Sequence, residues 1–231
     1  MKKYFLVLFL TAAALQGLAQ QTVKASEIIA LINDGKMVSL KDAVIEGELD
    51  LTDLKNREHG GHGLFFDYGD AIKSTVTAPL RFVNCTFQGD VLGYYHVDHE
   101  NQTYAVDFRE DVTFQHCTFL RASEFKYSDF DRKADFSESV FNEPANFKYA
   151  KFSESATFAK ATFKDEANFK YAKFPEGSSL EGASFDGPAD FKYTKFRSPL
   201  YVKNVSFHSS RDFKYSRVGG RSLSDFLWDE R

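Results

Sequence analysis

One tripeptide, Phe-Lys-Tyr, recurs at a fixed interval in the second half of this 231-residue chain. Its lysines can pair with negatively charged groups, and its tyrosines offer aromatic rings for stacking and cation–π contacts. Each copy begins 22 residues after the one before it. The copies begin at Phe125, Phe147, Phe169, Phe191 and Phe213.

If successive copies stack at the separation of neighbouring strands, about 4.8 Å, they form a flat basic strip with a stacked aromatic spine. Aromatic faces stack on sugar rings and lysines pair with acids, so the strip is a candidate surface for a linear anionic or sugar-rich polymer. The predicted binding residues are Lys126, Tyr127, Lys148, Tyr149, Lys151, Lys170, Tyr171, Lys173, Lys192, Tyr193, Lys195, Lys214 and Tyr215.

Structural interpretations of the same pattern compete with binding. Stacked tyrosines stabilise one another, and duplication of one unit also produces identical repeats. A column of acids and amides two residues before the lysines can partly neutralise them. That column is Glu124, Asn146, Asn168, Asp190 and Asp212.

Two His-x-x-His pairs suggest metal chemistry, since imidazole and carboxylate together suit zinc and similar ions. The pairs are His59 with His62 and His96 with His99, each close to acidic residues. They lie in two irregular insertions, and solvated loop histidines are the competing interpretation.

The two cysteines, Cys85 and Cys117, each lie two residues before a phenylalanine. Stacked on adjacent coils, they are close enough for a disulfide, although parallel Cβ directions are not the preferred geometry. Two buried free thiols, replacing alanine, are the favoured alternative.

The chain shows no nucleophile motif, phosphate loop or dinucleotide fingerprint. General acid–base catalysis needs groups positioned in a pocket, and a tube filled with phenylalanine leaves none along its length. The sequence therefore predicts a protein that is not an enzyme and needs no cofactor.

The elements that position these residues follow from the spacing of apolar anchors. From Phe108 to Val218 the anchors alternate between intervals of five and six residues, which fits neither a strand nor a helix. Four such sides make one 22-residue coil, with small residues two positions before each anchor. These small residues include Ala134, Ala145, Ala150, Ala156, Ala161, Ala167, Ala172, Ala183 and Ala189.

Ala-Asn-Phe at 145–147 and 167–169, and Ala-Asp-Phe at 134–136 and 189–191, resemble the Ala-(Asp/Asn)-(Leu/Phe) signature of pentapeptide-repeat proteins. The resemblance implies an all-β fold, a right-handed quadrilateral parallel β-helix. Alternate units depart from the family pattern by a sixth residue, which indicates wider turns at those corners. Some members mimic DNA and act on gyrase, but an export signal and lysine columns argue against nucleic-acid mimicry or binding here.

Five segments are expected along the chain. Residues 1–19 read as a secretory signal peptide, 20–42 as a capping helix and lead-in, and 43–107 as irregular first coils with two insertions. Residues 108–218 form the regular β-helix and 219–231 a C-terminal cap. Ser26 is expected to N-cap the first helix, which Gly35 ends.

Loss of Lys2 and Lys3 with the signal changes the formal charge from −4 to about −6. The expected product is an exported scaffold, periplasmic or secreted, with no integral membrane segment after cleavage. Its partner is expected to be an unknown protein or an anionic or polysaccharide component of the envelope. A purely structural envelope spacer is the alternative, and the apolar tail either covers the last coil or forms a homodimer.

Overall fold

The structure is a computed structural model that describes residues 20–59 and 71–229. Its strands are short and stack into four parallel sheets, which form the four sides of a tube. We number these sides face 1 to face 4 in the order in which the chain visits them within one coil. The predicted four-sided parallel β-helix is therefore confirmed.

Each face collects one strand from each coil. Face 1 consists of β2 (Val38–Lys41), β7 (Leu80–Val83), β12 (Val112–Gln115), β16 (Ala134–Asp135), β20 (Ala156–Thr157), β24 (Ser178–Ser179) and β28 (Leu200–Tyr201). Face 2 consists of β1 (Gln21–Lys24), β3 (Ala43–Glu46), β8 (Thr86–Phe87), β13 (Thr118–Phe119), β17 (Val140–Phe141), β21 (Thr162–Phe163), β25 (Ser184–Phe185) and β29 (Ser206–Phe207).

The other two faces complete the coil. Face 3 consists of β4 (Leu49–Asp50), β9 (Val91–Leu92), β14 (Ser123–Glu124), β18 (Ala145–Asn146), β22 (Ala167–Asn168), β26 (Ala189–Asp190) and β30 (Arg211–Asp212). Face 4 consists of β5 (Glu58–His59), β6 (Ala71–Val76), β10 (Tyr94–Val97), β11 (Gln102–Phe108), β15 (Asp129–Phe130), β19 (Lys151–Phe152), β23 (Lys173–Phe174), β27 (Lys195–Phe196), β31 (Arg217–Val218) and β32 (Arg221–Ser222).

Strand pairing confirms the 22-residue period in the regular part of the tube. Phe141 pairs with Phe163 on the next coil, and Ala145 pairs with Ala167. The early coils are longer, because Leu49 pairs with Val91 and Val91 pairs with Ser123. Both insertions leave the tube between face 3 and face 4, so they share a corner, as the sequence register suggested.

The anchors fill the tube with stacked rings. The centroids of Phe141 and Phe163 are 4.7 Å apart at 2°, and those of Phe136 and Phe158 are 4.9 Å apart at 4°. Burying each such side chain contributes roughly 1.5–3 kcal/mol. The small positions are buried as well, because a larger side chain there would collide with the rings; Ala161 is fully inaccessible.

The insertions extend face 4 sideways beyond the tube. β6 and β11 are parallel neighbours, β5 is antiparallel to β6, and β10 is antiparallel to β11. We call this four-stranded extension, in the order β5–β6–β11–β10, the side sheet. A 3₁₀ turn at Asp98–Glu100 joins β10 to β11.

The first helix, α1, spans Ala25–Asn33 and turns Ile28 and Ile32 into the core above the first coil. The prediction that Ser26 caps this helix is wrong, because the N-cap is Lys24 and no side chain caps the helix. Strand pairing explains why the helix begins earlier than predicted. β1 precedes the helix and pairs with β3, so the chain turns into the helix directly after Lys24. The helix ends before Gly35, which has a positive φ of 64°.

At the other end, β32 folds back antiparallel to β31 and leads into α2, Leu223–Asp229. Leu223 and Leu227 are buried, whereas Trp228 is 72% exposed. The predicted apolar lid therefore covers only part of the last coil. Among the described residues, no helix is long and apolar enough to cross a membrane.

Candidate binding surface

The tyrosines of the repeated tripeptide form one continuous stack along the corner between face 3 and face 4. Neighbouring ring centroids lie between 4.6 and 4.9 Å apart, with interplanar angles of 1° to 25°. We call this stack the tyrosine ladder. It consists of Tyr127, Tyr149, Tyr171, Tyr193 and Tyr215.

This stacking corrects one part of the sequence-based hypothesis. Within the ladder, both faces of each interior ring are covered by the neighbouring rings, so these faces cannot stack on the sugar rings of a ligand. What remains for solvent is the ring edges, and Tyr149 and Tyr193 are 38% and 36% exposed. A ligand along this corner would meet tyrosine edges and lysine ammonium groups.

Each ladder tyrosine has a strained backbone. All five have φ between 60° and 63°, in a turn position where Gly or Asn is the usual residue. The matching corner between face 1 and face 2 also has a positive φ on each coil, at residues of mixed type: Asp42, Asn84, His116, Glu138, Lys160, Gly182 and Asn204. Tyrosine is therefore used at one of the two corners only.

The strain and the stacking of the ladder oppose each other. A positive φ costs a residue with a side chain roughly 1–2 kcal/mol, and a stacked aromatic pair returns about 0.5–1.5 kcal/mol. Five strained tyrosines share four stacking contacts, so by these two terms the ladder adds no net stability. The positive φ recurs at the corner between face 1 and face 2 and therefore belongs to the turn; the use of tyrosine in five successive coils is what distinguishes this corner.

The backbone beside each ladder lysine is held by the residue two positions earlier. The amide of Lys148 donates to Oδ1 of Asn146 at 3.1 Å, and the amide of Lys192 donates to Oδ1 of Asp190 at 2.8 Å. Because either side chain accepts this bond, Asn and Asp are interchangeable for the turn. They differ in charge.

We call the lysine that precedes each ladder tyrosine a corner lysine; these are Lys126, Lys148, Lys170, Lys192 and Lys214. The difference in charge between Asn and Asp gives the corner lysines different electrostatic surroundings. The ammonium of Lys192 lies 3.1 Å from Asp212 and 4.0 Å from Asp190. Within residues 20–59 and 71–229, no carboxylate lies within 4.0 Å of the ammonium group of Lys148 or Lys170. The column positions beside Lys148 are Asn146 and Asn168, and those beside Lys170 are Asn168 and Asp190. The expected neutralisation therefore occurs at Lys192 and not in the centre of the strip.

The central lysines also repel one another. Burial lowers the pKa of Lys148, the positive charges of Lys126 and Lys170 lower it further, and the negative charge of Asp190 opposes this shift. Each of these three ammonium groups lies over the ring of a ladder tyrosine, at 5.4 Å for Lys148 and 5.5 Å for Lys170. A negatively charged group placed between them would relieve this repulsion.

The first rung of the ladder, formed by Lys126 and Tyr127, is covered by Tyr94 of the side sheet. Lys126 Nζ donates to Tyr94 Oη at 2.8 Å and lies 4.4 Å from the Tyr94 ring and 4.9 Å from the Tyr127 ring. Burial lowers the pKa of Lys126. Sequence reasoning missed Tyr94, although an aromatic pair, Tyr94-Tyr95, inside an insertion next to the first tripeptide was a usable signal.

A second basic column lies on face 4, two residues after the ladder. Lys151, Lys173 and Lys195 are exposed and pair by backbone register on successive coils, and Arg217 continues the column. The sequence exception, Asp129, precedes Lys151 in this column. The basic strip, defined as the corner lysines, the tyrosine ladder and this column, therefore has basic residues on both sides of the tyrosines from Lys148 onward.

The structure describes three of the four paired histidines, His59, His96 and His99, and it does not bring His59 close to the other two. His59 is exposed on β5 and His96 lies on β10, at opposite edges of the side sheet with two strands between them. His96 Nδ1 contacts Thr103 Oγ1 at 2.9 Å, and His99 lies beside Glu100 at 3.3 Å. His62 lies outside the described residues, and the described part of the chain contains no group of three or more metal-ligating side chains.

The two cysteines lie in the small inward position on adjacent coils and are free buried thiols, the alternative that the sequence favoured. The structure contains no disulfide between them. Cys117 Sγ lies 3.5 Å from the carbonyl oxygens of Phe82 and Gln115, and Cys85 Sγ lies 3.4 Å from that of Val83. A hydrogen bond with Cys85, together with burial, raises the pKa of Cys117 and keeps this thiol protonated.

The last coil is open on three sides. A cleft of about 940 Å³ lies between α2 and the end of the tube, and its lining includes Phe207, Phe213 and Trp228. Arg211, which occupies an inward small-residue position by sequence, is exposed there, as the open last coil required. Within the described chain, β28, β29 and β30 each have a strand neighbour on one side only.

The fold and this surface define a class, that of β-helical repeat scaffolds with a charged outer strip. Comparison with protein families agrees: the family described as "Pentapeptide repeats" matches in nine copies, including residues 105–151, 125–173 and 147–195. The chain belongs to the pentapeptide-repeat family.

Two further comparisons add little. The crystal structure of HetL, described as a pentapeptide repeat protein involved in heterocyst differentiation regulation from the cyanobacterium Nostoc sp. strain PCC 7120, is 11% identical. The match covers 87% of this chain and 99% of that one with a TM-score of 0.18, which supports no argument of its own. No curated protein matches the chain.

Proposed function

We propose that this protein is a non-enzymatic, exported scaffold whose basic strip binds an elongated, negatively charged partner in the cell envelope. The observation that carries the proposal is the pair of basic columns on either side of the tyrosine ladder, with central lysines, Lys148 and Lys170, that form no ion pair with a carboxylate of the described chain. The turn chemistry supports it, because Asn keeps the turn beside Lys148 and Lys170 without adding a negative charge.

The tube makes this strip rigid. Backbone hydrogen bonds join each rung to the next at the ladder corner; for example, Tyr149 N donates to Lys170 O at 2.9 Å. Beneath the corner, Phe147 stacks on Phe169 at 5.1 Å. A preorganised row of charges loses little conformational entropy on binding, which favours affinity for a partner of matching shape.

Export rests on the signal-like sequence of residues 1–19, which lie outside the described residues. Mild acidity of the whole chain, −4 formally, disfavours bulk nucleic-acid binding and leaves the strip as a local basic feature. Fractionation of expressing cells tests the compartment directly. Recovery of a full-length protein in the cytoplasm, with the first 19 residues retained, would refute export.

Binding is tested by retention on an immobilised acidic polysaccharide. The wild type is expected to be retained at low salt, and Lys148→Gln/Lys170→Gln to elute earlier. A matched control, Lys160→Gln/Lys164→Gln, removes two exposed lysines elsewhere on the tube and should elute close to the wild type. Equal elution of all three proteins, or no retention of the wild type, would refute binding through the strip.

A structural spacer remains the second candidate, and the uniform packing of the tube favours it. If the protein is a spacer, the ladder only contributes to the packing of the tube, and loss of Lys148 and Lys170 does not change the binding of any ligand. The retention experiment separates the two, because a spacer predicts no difference between the strip variant and its control.

We also propose that the open C-terminal end pairs with a second copy of the chain. Strands on face 1 and face 3 donate their backbone N–H groups to the following coil; for example, Phe169 N donates to Asp190 O at 2.7 Å. Strands on face 2 donate to the preceding coil, as Lys164 N does to Phe141 O at 2.9 Å. The last coil therefore presents donors and acceptors that another such end can satisfy. Light scattering should show a dimer that Trp228→Ser weakens; a monomeric wild type refutes it.

A further inference from the structure

We infer, on the basis of the proposed function, that the partner is an acidic polysaccharide with one acid group per sugar residue, lying along the tube axis with one residue per coil. This assignment narrows the elongated anionic partner to one class of polymer. It rests on three features of the strip: its repeat distance, the covered tyrosine faces, and the pattern of Asn and Asp beside the lysines.

The repeat distance selects the polymer. The rungs of the ladder are 4.6–4.9 Å apart, close to the length of one pyranose residue in an extended chain. An extended peptide advances about 3.4 Å per residue, and a nucleic-acid strand in a duplex carries one phosphate per roughly 3.4 Å. Both of these polymers lose register with the lysines within a few coils, whereas a polysaccharide keeps it.

The geometry of the strip places the charges of such a polymer. In each central coil one lysine precedes the ladder and one follows it, as Lys148 and Lys151 flank Tyr149. In this coil Lys148 Nζ lies 5.4 Å from the centroid of the Tyr149 ring. An acid group above the ladder therefore meets ammonium groups from both sides, while the sugar ring lies along the tyrosine edges.

The residues beside the lysines set where binding is strongest. Asn146 and Asn168 leave Lys148 and Lys170 without a bound carboxylate, and Asp190 and Asp212 hold Lys192. The covering of Lys126 by Tyr94 closes the strip at the other end. The two central coils are thus the primary subsites, and the coil of Lys192 is a weaker one.

The chain offers its own matched variants for a test. Asn146→Asp/Asn168→Asp installs the carboxylates that the coil of Lys192 already carries, and the turn bond is preserved because Asp190 and Asp212 make it at 2.8 and 2.9 Å. Asp190→Asn/Asp212→Asn does the reverse for Lys192, whose nearer carboxylate is Asp212. Both variants keep every lysine and every tyrosine. Asn146→Asp loses the hydrogen bond that Asn146 Nδ2 donates to Glu124 Oε2 at 2.7 Å, so Asn168→Asp alone serves as a companion variant, and the folding of each variant is checked by thermal melting.

Calorimetry with uronic-acid oligosaccharides of increasing length is the measurement. Affinity is expected to rise with length up to about four residues, the number of rungs that Tyr94 leaves open, and then to level off. Asn146→Asp/Asn168→Asp should bind about tenfold more weakly than the wild type, and Asp190→Asn/Asp212→Asn a few-fold more tightly. A neutral oligosaccharide of equal length should not bind.

The outcomes separate this inference from the proposed function. Equal binding of oligouronates and poly-glutamate of the same charge would refute the register and the sugar assignment while leaving an anion-binding strip. An unchanged affinity in Asn146→Asp/Asn168→Asp would refute the central subsites. No binding of any anionic polymer would refute the proposed function itself.

Discussion

Replacement of ladder tyrosines by glycine measures whether the stacked rings stabilise the tube. A single replacement mixes two effects: it removes stacking, and it relieves the strain of a positive φ that glycine adopts freely. In a double-mutant cycle the strain terms cancel, because each replacement relieves its own strain independently. The remaining coupling energy is that of one stacked pair.

Tyr171 and Tyr193 are the pair to use, since their centroids are 4.7 Å apart at 2°. The expected coupling is about 0.5–1.5 kcal/mol, measured by chemical denaturation of the wild type, both single variants and the double variant. Tyr149 and Tyr193 provide the control. The ring of Tyr171 separates them, and their coupling should fall within about 0.3–0.5 kcal/mol of zero.

The single variants carry further information. Tyr171→Gly loses two stacking contacts and gains relief of strain, so its stability should lie within about 2 kcal/mol of the wild type. An adjacent coupling no larger than the control coupling would refute the stacked ladder. It would also remove the argument that stacking partly offsets the backbone strain at this corner.

Three other perturbations probe the core and its titrating groups. Phe158→Ala opens a cavity beside Phe136, whose ring centroid lies 4.9 Å from that of Phe158, so denaturation should show a loss of about 3–5 kcal/mol. Cys117→Ala, which restores the residue type usual in that position, should cost less than about 1.5 kcal/mol, whereas Cys117→Leu should cost about 1–3 kcal/mol by overpacking. Burial raises the pKa of Glu124, so the folded protein disfavours the ionised carboxylate. The stability of Glu124→Gln relative to the wild type should therefore increase as pH rises above about 4.3, the pKa in the unfolded chain, and then level off; a flat difference across that range contradicts it.

The sequence predicted the tube well because its determinants are periodic. A phenylalanine every five or six residues, with a small residue two positions before, leaves few other ways to bury the rings. The paired insertions were predictable for the same reason, since Phe82 and Phe114 have matching surroundings and do pair across coils. Features that depend on one local contact were harder to predict.

Two local features show why. The order of strands in the side sheet puts His59 and His96 at opposite edges, and nothing in their spacing fixes that order. Lys126 is covered because the orientation of the β10–β11 hairpin brings Tyr94 over the ladder. The lysine and tyrosine columns, in contrast, followed directly from the 22-residue period.

The affinity of the central lysines for an acidic polysaccharide tests the account most directly. Dissociation constants for a five-residue oligouronate should be measured for the wild type, Lys148→Gln/Lys170→Gln and Lys160→Gln/Lys164→Gln at low and at physiological ionic strength. The account predicts clear weakening in the first variant alone, with a difference from the wild type that shrinks as salt screens the charges. Equal constants for all three proteins at low ionic strength would contradict it.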